Sequence, residues 1–114
     1  MTNLSPMKTP ELPLYAQYGL DSKQWTALAL LTNRVGAAGI EVTGIAKLMP
    51  NDPKAGCELI YSRGKQAIVL GVSSQDGRVI LAFHRTLDSA IPERVCQGEL
   101  ANWSALASTM LYYR

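Results

Sequence analysis

Few side chains of this sequence could take part in catalysis, and none of them falls into a spacing typical of an active site. The two cysteines, Cys57 and Cys96, lie far apart, and the single histidine, His84, has no neighbouring carboxylate or nucleophile to orient it as a general base. A structural zinc site needs about four Cys or His ligands, so these residues do not predict one. The sequence also lacks the P-loop, GxGxxG, GxSxG and HExxH motifs. We therefore expect neither an enzyme nor a bound cofactor or metal.

Four basic side chains could instead contact nucleic acid: Lys54, Arg63, Lys65 and Arg78. In DNA-binding proteins, contacts to phosphates position the protein on the duplex, and contacts to base edges specify the sequence. The chain has 11 Lys and Arg against 9 Asp and Glu, a net charge of +2, so affinity for a duplex requires these cations to share one face. Double-stranded DNA is the expected partner if they do, and ordinary surface cations are the alternative interpretation.

The length and composition predict one globular domain. With 114 residues, of which 47% are hydrophobic and 18% charged, the chain can bury one core. Residues 1–13 contain three prolines and predict a flexible N-terminal arm, which leaves residues 14–114 as a single globular domain. No apolar run approaches the ~20 residues that span a bilayer, no signal peptide is visible, and two cysteines do not make a disulfide framework. We therefore expect a cytoplasmic protein without a membrane partner.

The elements that would position these side chains begin with two helices. Asp21 and Gln24 have the spacing of a capping box, and apolar residues recur every three or four positions after them, which predicts a helix up to a left-handed cap at Gly36. Residues 40–49 carry apolar side chains at a spacing that is also helical, and Pro50 ends the segment.

Residues 51–66 admit two interpretations that the sequence leaves open. Asp52 and Pro53 fit a helix N-cap followed by proline in the first turn, which predicts a third helix. The alternation within residues 57–62, followed by the turn-like sequence Arg-Gly-Lys, instead predicts a strand that leads into a hairpin.

A β-hairpin and a closing helix complete the predicted elements. Residues 67–72 and 78–83 are rich in β-branched side chains and flank the turn sequence SSQDG. Residues 92–113 predict a helix, interrupted at Gly98, whose apolar stripe has a spacing close to a heptad repeat. In a chain this short, little of the core is left over to cover a long apolar helix. We therefore expect the stripe either to pack on the first helix or to form a homodimer interface. The stripe comprises Cys96, Leu100, Trp103, Ala107 and Met110.

Residues 20–83 together resemble a winged helix-turn-helix domain and are nearest to the MarR family of transcription regulators. The family's first helix is similar to LDSKQWTALALL, and its second helix is similar to GIEVTGIAKLM. The start of the family's recognition helix is similar to Asp52-Pro53, and its wing to Asp76-x-Arg78 with the alternating apolar residues that follow. The resemblance implies an α+β, winged-helix-like fold, in which helices precede an antiparallel β-hairpin and a C-terminal helix. It also implies a small DNA-binding transcription regulator.

The strand interpretation of residues 57–62 supports a different fold and a different function. It predicts an α+β domain with a three-stranded antiparallel meander at residues 57–86 and helices on one face. With its near-neutral charge, such a domain would act as a non-enzymatic protein–protein interaction module, for example an adaptor, an immunity protein or a subunit of a complex.

Overall fold

The computed structural model describes residues 16–113, so the arm predicted at residues 1–13 lies outside the described part of the chain. One helix precedes five strands, and a second helix closes the chain. These elements are α1, Ser22–Gly36; β1, Glu41–Met49; β2, Asp52–Arg63; β3, Gln66–Ser73; β4, Arg78–His84; β5, Arg94–Glu99; and α2, Trp103–Tyr112. Short 3-10 turns lie at Ala16–Tyr18 and Leu100–Asn102. Within residues 16–113, no helix has the length and apolar character needed to span a membrane.

The strands form one five-stranded antiparallel sheet in sequence order, so each strand pairs only with the strands before and after it in the chain. Residues opposite each other on antiparallel strands point to the same face. Leu59, Leu70 and Leu81 lie side by side in this way and are buried on the inner face of the sheet. Leu28 of α1 and Met110 of α2 belong to the same buried cluster, so both helices pack on the inner face. The core lies between these two layers.

The winged-helix prediction is wrong, because residues 40–49 do not form a helix. Most of them belong to β1, which pairs with β2 at the edge of the sheet. In a regular strand, side chains three residues apart point to opposite faces. A β-bulge between Val42 and Gly44 adds one residue, and it allows both Val42 and Ile45 to pack against the core. The bulge thus gives a strand the apolar spacing of a helix.

The predicted recognition helix is also absent, since residues 52–63 form β2. Alternate residues from Cys57 to Tyr61 are completely buried, and this alternation outweighs the N-capping signal at the start of the strand. The described chain therefore contains no helix-turn-helix. The alternative of a three-stranded meander at residues 57–86 is corrected as well, because the meander has five strands and extends from residue 41 to residue 99.

The capping box predicted for α1 is confirmed. Asp21 Oδ1 accepts a hydrogen bond from the Gln24 backbone N–H at 2.8 Å, and Gln24 Oε1 accepts one from the Asp21 N–H at 2.9 Å. The helix ends at Gly36 as predicted, but the left-handed residue is Gly39, with a φ angle of +92°. The Gly39 N–H donates to the Gly36 carbonyl and the next N–H donates to the Val35 carbonyl, which is a Schellman motif.

The hairpin of β3 and β4 is confirmed, with antiparallel pairing from Ala67 to Val72. The closing helix is shorter than predicted, because residues 94–99 form β5 and α2 begins only at Trp103. Cys96 lies opposite a core leucine of β4 and points to the inner face. The predicted apolar stripe therefore continues from a strand into a helix, and both parts face the same core.

A buried polar contact joins α1 to β2 across the core. The hydroxyl oxygens of Thr32 and Tyr61 lie 2.9 Å apart and form a hydrogen bond, and both side chains are buried. Burial raises the pKa of the Tyr61 phenol far above its ordinary value, although the hydrogen bond with Thr32 opposes this shift. The phenol therefore stays protonated and can hold α1 in one position on the sheet.

Candidate interaction surface

The sheet has a second face, which no described helix covers. Successive side chains of a strand point to opposite sides, so the residues that alternate with the core residues point to this outer face. In an antiparallel sheet with one side toward solvent, such positions are usually polar. Here the positions at the centre of the face are apolar. We define the outer face by Leu48, Ile60, Val69, Gly71, Ile80, Ala82 and Val95.

An apolar row crosses four strands of the outer face at one level. Ile60 lies opposite Val69, Val69 opposite Ala82, and Ala82 opposite Val95. Val95 at the end of this row is 53% exposed, and Ile80 at the adjacent level is 51% exposed. Single exposed apolar side chains are common on protein surfaces, but contiguous apolar patches mark interaction surfaces.

A hollow lies at the centre of the outer face, because the middle strand carries Gly71 there. The groove has a volume of about 390 Å³ and is lined by Leu48 and Ile80. A methyl group on Gly71 would come within 3.3 Å of the Leu48 side chain and would occupy the floor of the groove. A glycine inside a strand weakens the strand and often marks a place where another molecule approaches the backbone closely.

Charged side chains lie at the rim of this groove. Glu58 on β2 is directly opposite Gly71, and Arg78 lies two residues before Ile80 on the same face of β4. Glu58 is half-buried and Arg78 is exposed. Asp76 also lines the groove, and Glu99 on β5 lies directly opposite Arg78. The outer face therefore has an apolar centre and a charged rim with three acidic groups and one basic group, and a polar rim around an apolar centre is typical of protein–protein interfaces.

A larger cleft, of about 660 Å³, lies between the N-terminal end of α1, the β3–β4 turn and Trp103. Three of its polar side chains make local contacts. Asp21 belongs to the capping box, and Asp76 accepts a hydrogen bond from a backbone N–H of β4 at 3.1 Å. Gln24 donates to the carbonyl of Ser74 in the turn at 2.9 Å. These contacts hold the turn against α1. The side chains that make them therefore have a structural role in the fold.

The four cations predicted to contact DNA lie in two pairs at opposite ends of the sheet. Lys54 is at the start of β2, where its carbonyl accepts a hydrogen bond from Ser74 of the β3–β4 turn, and Arg78 follows that turn. Arg63 and Lys65 lie at the other end of β2. A strand rises about 3.3 Å per residue, so the two ends are roughly 30 Å apart. The structure does not bring the four together.

Arg63 contacts the last turn of α2. Its guanidinium donates to the Met110 carbonyl at 3.0 Å, to the Leu111 carbonyl at 3.4 Å and to the Tyr113 carbonyl. It also donates to Gln66 Oε1 at 2.7 Å. The last carbonyls of a helix have no donor within the helix, so Arg63 supplies donors that α2 lacks. This side chain therefore joins the end of α2 to the β2–β3 hairpin.

The stripe predicted as a dimer interface lies largely inside the chain. Leu100, Ala107 and Met110 are buried in the same cluster as α1, which was the alternative location for the stripe. Cys96 and Trp103 are half-buried and pack against that cluster. Most of this stripe is thus already buried in the chain's own core and is not available to contact a second copy. The homodimer itself stays a prediction.

The side chains that could do chemistry are kept apart by the fold. Cys57 is buried in β2, and burial, with a smaller effect of Glu58, raises the pKa of its thiol to about 12. His84 Nδ1 lies 2.9 Å from the Ser89 carbonyl, which only accepts, so this nitrogen carries the proton and donates. Within residues 16–113, no group of three or more His, Cys, Asp or Glu side chains is arranged to hold a metal ion.

Comparisons with known proteins found no relative, because no protein-family model, curated protein or solved structure matches the chain. The function is therefore inferred from the residues of the outer face. The sequence contains a signal for this face, although the signal matches no functional motif. AIVLGV in β3 and VILAF in β4 are continuous apolar runs, and such runs are typical of strands that are covered on both sides.

Proposed function

We propose that the protein is a non-enzymatic protein–protein interaction module, which binds another protein chain through its outer face. The observation that carries the proposal is that β3 and β4 are apolar on both sides, whereas the described helices cover only the inner side. Complete burial of a large aliphatic side chain is worth about 1.5–3 kcal/mol. A partner that removes Ile80 and Val95 from water would therefore gain part of this free energy for each.

The chemistry of the outer face favours a protein partner over nucleic acid. The charged groups at the rim of the outer face are mostly acidic, because Glu58, Asp76 and Glu99 surround the one arginine, Arg78. Binding to a duplex relies on concentrated Lys and Arg side chains, and the four candidate cations lie at two ends of the sheet. The prediction of a DNA-binding transcription regulator lacks its helix-turn-helix within residues 16–113, and DNA-binding measurements can test it as the alternative.

We further propose a cytoplasmic location. Cys57 and Cys96 are both free thiols, and a reducing compartment keeps thiols in this state. Fractionation of cells that make the protein should recover it together with cytosolic markers. Recovery with secreted or membrane markers would contradict this location.

Site-directed photo-crosslinking tests the binding function. A photo-reactive amino acid at position 80, in cells that make the protein, should give one discrete protein adduct, because Ile80 lies at the centre of the outer face. The matched control places the same group at Tyr112, which is 78% exposed on α2, and should give no discrete adduct. Adding Val95→Lys to the position-80 probe should abolish the adduct, because a charge then enters the apolar face. Equal labelling from both positions, or no adduct from position 80, would contradict the proposal.

A further inference from the structure

We infer that the partner on the outer face is a second copy of this chain, which gives a symmetric dimer packed sheet against sheet. The inference rests on the proposed function of that face and names its partner. In a two-fold dimer, the same patch lies on both sides of the interface. Each projection therefore needs a matching hollow on the patch itself, and each charge needs its opposite there. The outer face meets the first requirement through Ile80 and the Gly71 hollow, and Glu58 and Arg78 supply one pair of opposite charges on its rim.

The projection and the hollow are neighbours on the outer face. Ile80 on β4 lies directly opposite Gly71 on β3. The Ile80 side chain is 51% exposed, and the groove above Gly71 is about 390 Å³ in volume. A two-fold axis that lies in the interface and passes between Gly71 and Ile80 places Ile80 of each copy over the Gly71 hollow of the other. One symmetric pair of contacts then fills both hollows.

The same axis brings opposite charges together. Glu58 lies on the far side of Gly71, on β2, and Arg78 lies two residues before Ile80 on β4. An axis inclined to the strands exchanges these two positions, so Glu58 of each copy meets Arg78 of the other, beside Glu99, which lies directly opposite Arg78 on β5. Each Arg78 then lies between Glu99 of its own chain and Glu58 of the other copy, at the rim of the interface, where charges fix orientation and specificity more than affinity.

The size of the face suits a dimer of moderate affinity. Five strands about 4.8 Å apart, with about six residues each at about 3.3 Å per residue, give a face roughly 20 Å by 20 Å. If both faces were flat, the dimer would bury about 800 Å² in total. Side chains make the real surfaces uneven and therefore larger, which brings the buried accessible area close to the ~1,000–1,200 Å² at which specific interfaces begin. We therefore expect dissociation in the micromolar range.

Charge reversal, followed by sedimentation, tests the inference. At about 100 µM the wild type should sediment with twice the chain mass of 12.4 kDa. Glu58→Arg or Arg78→Glu alone places like charges opposite each other and should raise the dimer Kd about tenfold or more. The double variant Glu58→Arg/Arg78→Glu exchanges the two charges and should dimerise as the wild type does.

Two further variants separate the interface from general effects of charge and folding. Lys23→Glu, at an exposed position in the first turn of α1, changes the net charge as Arg78→Glu does and should leave the Kd unchanged. Gly71→Ala fills the hollow without changing any charge and should weaken the dimer about tenfold. The far-UV circular dichroism of all variants should superpose on that of the wild type.

The outcomes distinguish the dimer from the binding function on which it rests. A wild type that stays monomeric at about 100 µM contradicts the dimer, and so does a dimer that neither single charge reversal weakens. If that monomer still crosslinks to a different protein from position 80, the binding function stands and only the second copy is wrong. If position 80 captures no protein at all, both inferences fail.

Discussion

The hydroxyl groups of Thr32 and Tyr61 depend on each other, because both are buried away from water. A buried hydroxyl that loses its partner keeps its desolvation cost of about 1–3 kcal/mol, whereas removal of both partners is close to neutral. The Thr32 hydroxyl, however, can also bond to a carbonyl one helical turn earlier. The two residues should therefore respond differently to substitution.

We expect Thr32→Val to lower the free energy of unfolding by about 1–3 kcal/mol, and Tyr61→Phe to lower it by less, since Thr32 has the second acceptor. The double variant should lose clearly less than the sum of the two. Urea denaturation of all four proteins, with unchanged m-values, measures these differences. Additive losses would show that the hydrogen bond contributes nothing to stability.

Gly71 and Gly98 form a matched pair, because both lie inside strands but face opposite sides of the sheet. Gly71→Ala displaces only the flexible Leu48 side chain, and alanine suits a strand better than glycine by roughly 0.5–1 kcal/mol, so stability should stay equal or rise. Gly98→Ala brings its methyl within 3.0 Å of Leu106 in the core, where overpacking costs about 1–3 kcal/mol. Thermal denaturation of both variants measures the contrast. If both lose stability alike, the fold rather than a partner requires Gly71.

Among the elements, α2 relies on a side chain from another part of the chain. The Arg63 guanidinium lies at the end of the helix and donates to its last carbonyls. We expect Arg63→Met to lower the free energy of unfolding by about 2 kcal/mol, since hydrogen bonds to charged groups contribute about 1.5–3 kcal/mol. Lysine should restore little of this loss, because it lacks the planar fork of arginine.

The control for α2 is Lys65→Met, at an exposed position in the adjoining turn. This change also removes one positive charge, but substitutions at such surface positions usually stay within about 0.5 kcal/mol. Chemical denaturation and the helical signal in circular dichroism measure both variants. Equal effects of the two substitutions would mean that charge, rather than the contact with α2, matters at Arg63.

Glu93, at the end of the loop between β4 and β5, joins this loop to the end of β4 and to the residue that follows α2. Its carboxylate accepts hydrogen bonds from Arg85 Nε at 2.7 Å and from the Tyr113 hydroxyl at 3.1 Å. These two hydrogen bonds, with Arg85 the larger cause, lower the pKa of Glu93 below its ordinary value of 4.5. Glu93 thus binds protons less readily in the folded state than in the unfolded chain.

A lowered pKa makes the contribution of Glu93 to stability depend on pH. The contribution is fully present above the ordinary pKa of 4.5 and is lost as the pH falls through the lower folded-state pKa. Melting temperatures of the wild type and Glu93→Gln should therefore differ slightly at neutral pH and converge in acid. The difference is small because exposed ion pairs contribute little. Two melting curves that stay parallel down to pH ~2 would contradict this role of Glu93.

For the molecule as a whole, the sequence predicted correctly those elements whose signals are local. The capping box of α1 lies within four residues, and the β3–β4 turn lies between two apolar runs. The signal of β1 is not local, because its β-bulge is defined by the pairing with β2. The bulge gives the apolar residues of β1 the spacing of a helix. β5 was missed because Cys96 and Leu100 face one core from two different kinds of element.

The candidate site could be predicted only in part, for a related reason. The apolar runs of β3 and β4 are visible in the sequence, but the side of the sheet that stays open depends on where the helices pack. The cations illustrate the same limit. Lys54 and Arg63 are close in sequence, but the extended strand between them places them at opposite ends of the sheet. Spacing alone therefore suggested a basic cluster that the fold does not form.

The distribution of charge over the whole molecule gives a prediction for DNA. With a net charge of +2 and its candidate cations split between two ends, the protein should show no saturable binding to a random duplex at ~50 mM salt, where non-specific affinity is strongest. Fluorescence anisotropy of a labelled duplex measures this. Saturable binding that weakens steeply with salt, and that Arg78→Ala weakens for all sequences alike, would favour the DNA-binding regulator over the interaction module.

The sequence order of the meander has a consequence for how the chain folds during its synthesis. Each strand pairs with the one made just before it, so the sheet can grow strand by strand as the nascent polypeptide leaves the ribosome. Met110 and Ala107 complete the inner layer, and they emerge after all five strands because α2 follows β5 in the chain. Until α2 packs, the sheet exposes apolar surface on its outer face and on the part of its inner face that α1 does not cover, and such exposed surface makes a nascent domain prone to aggregation.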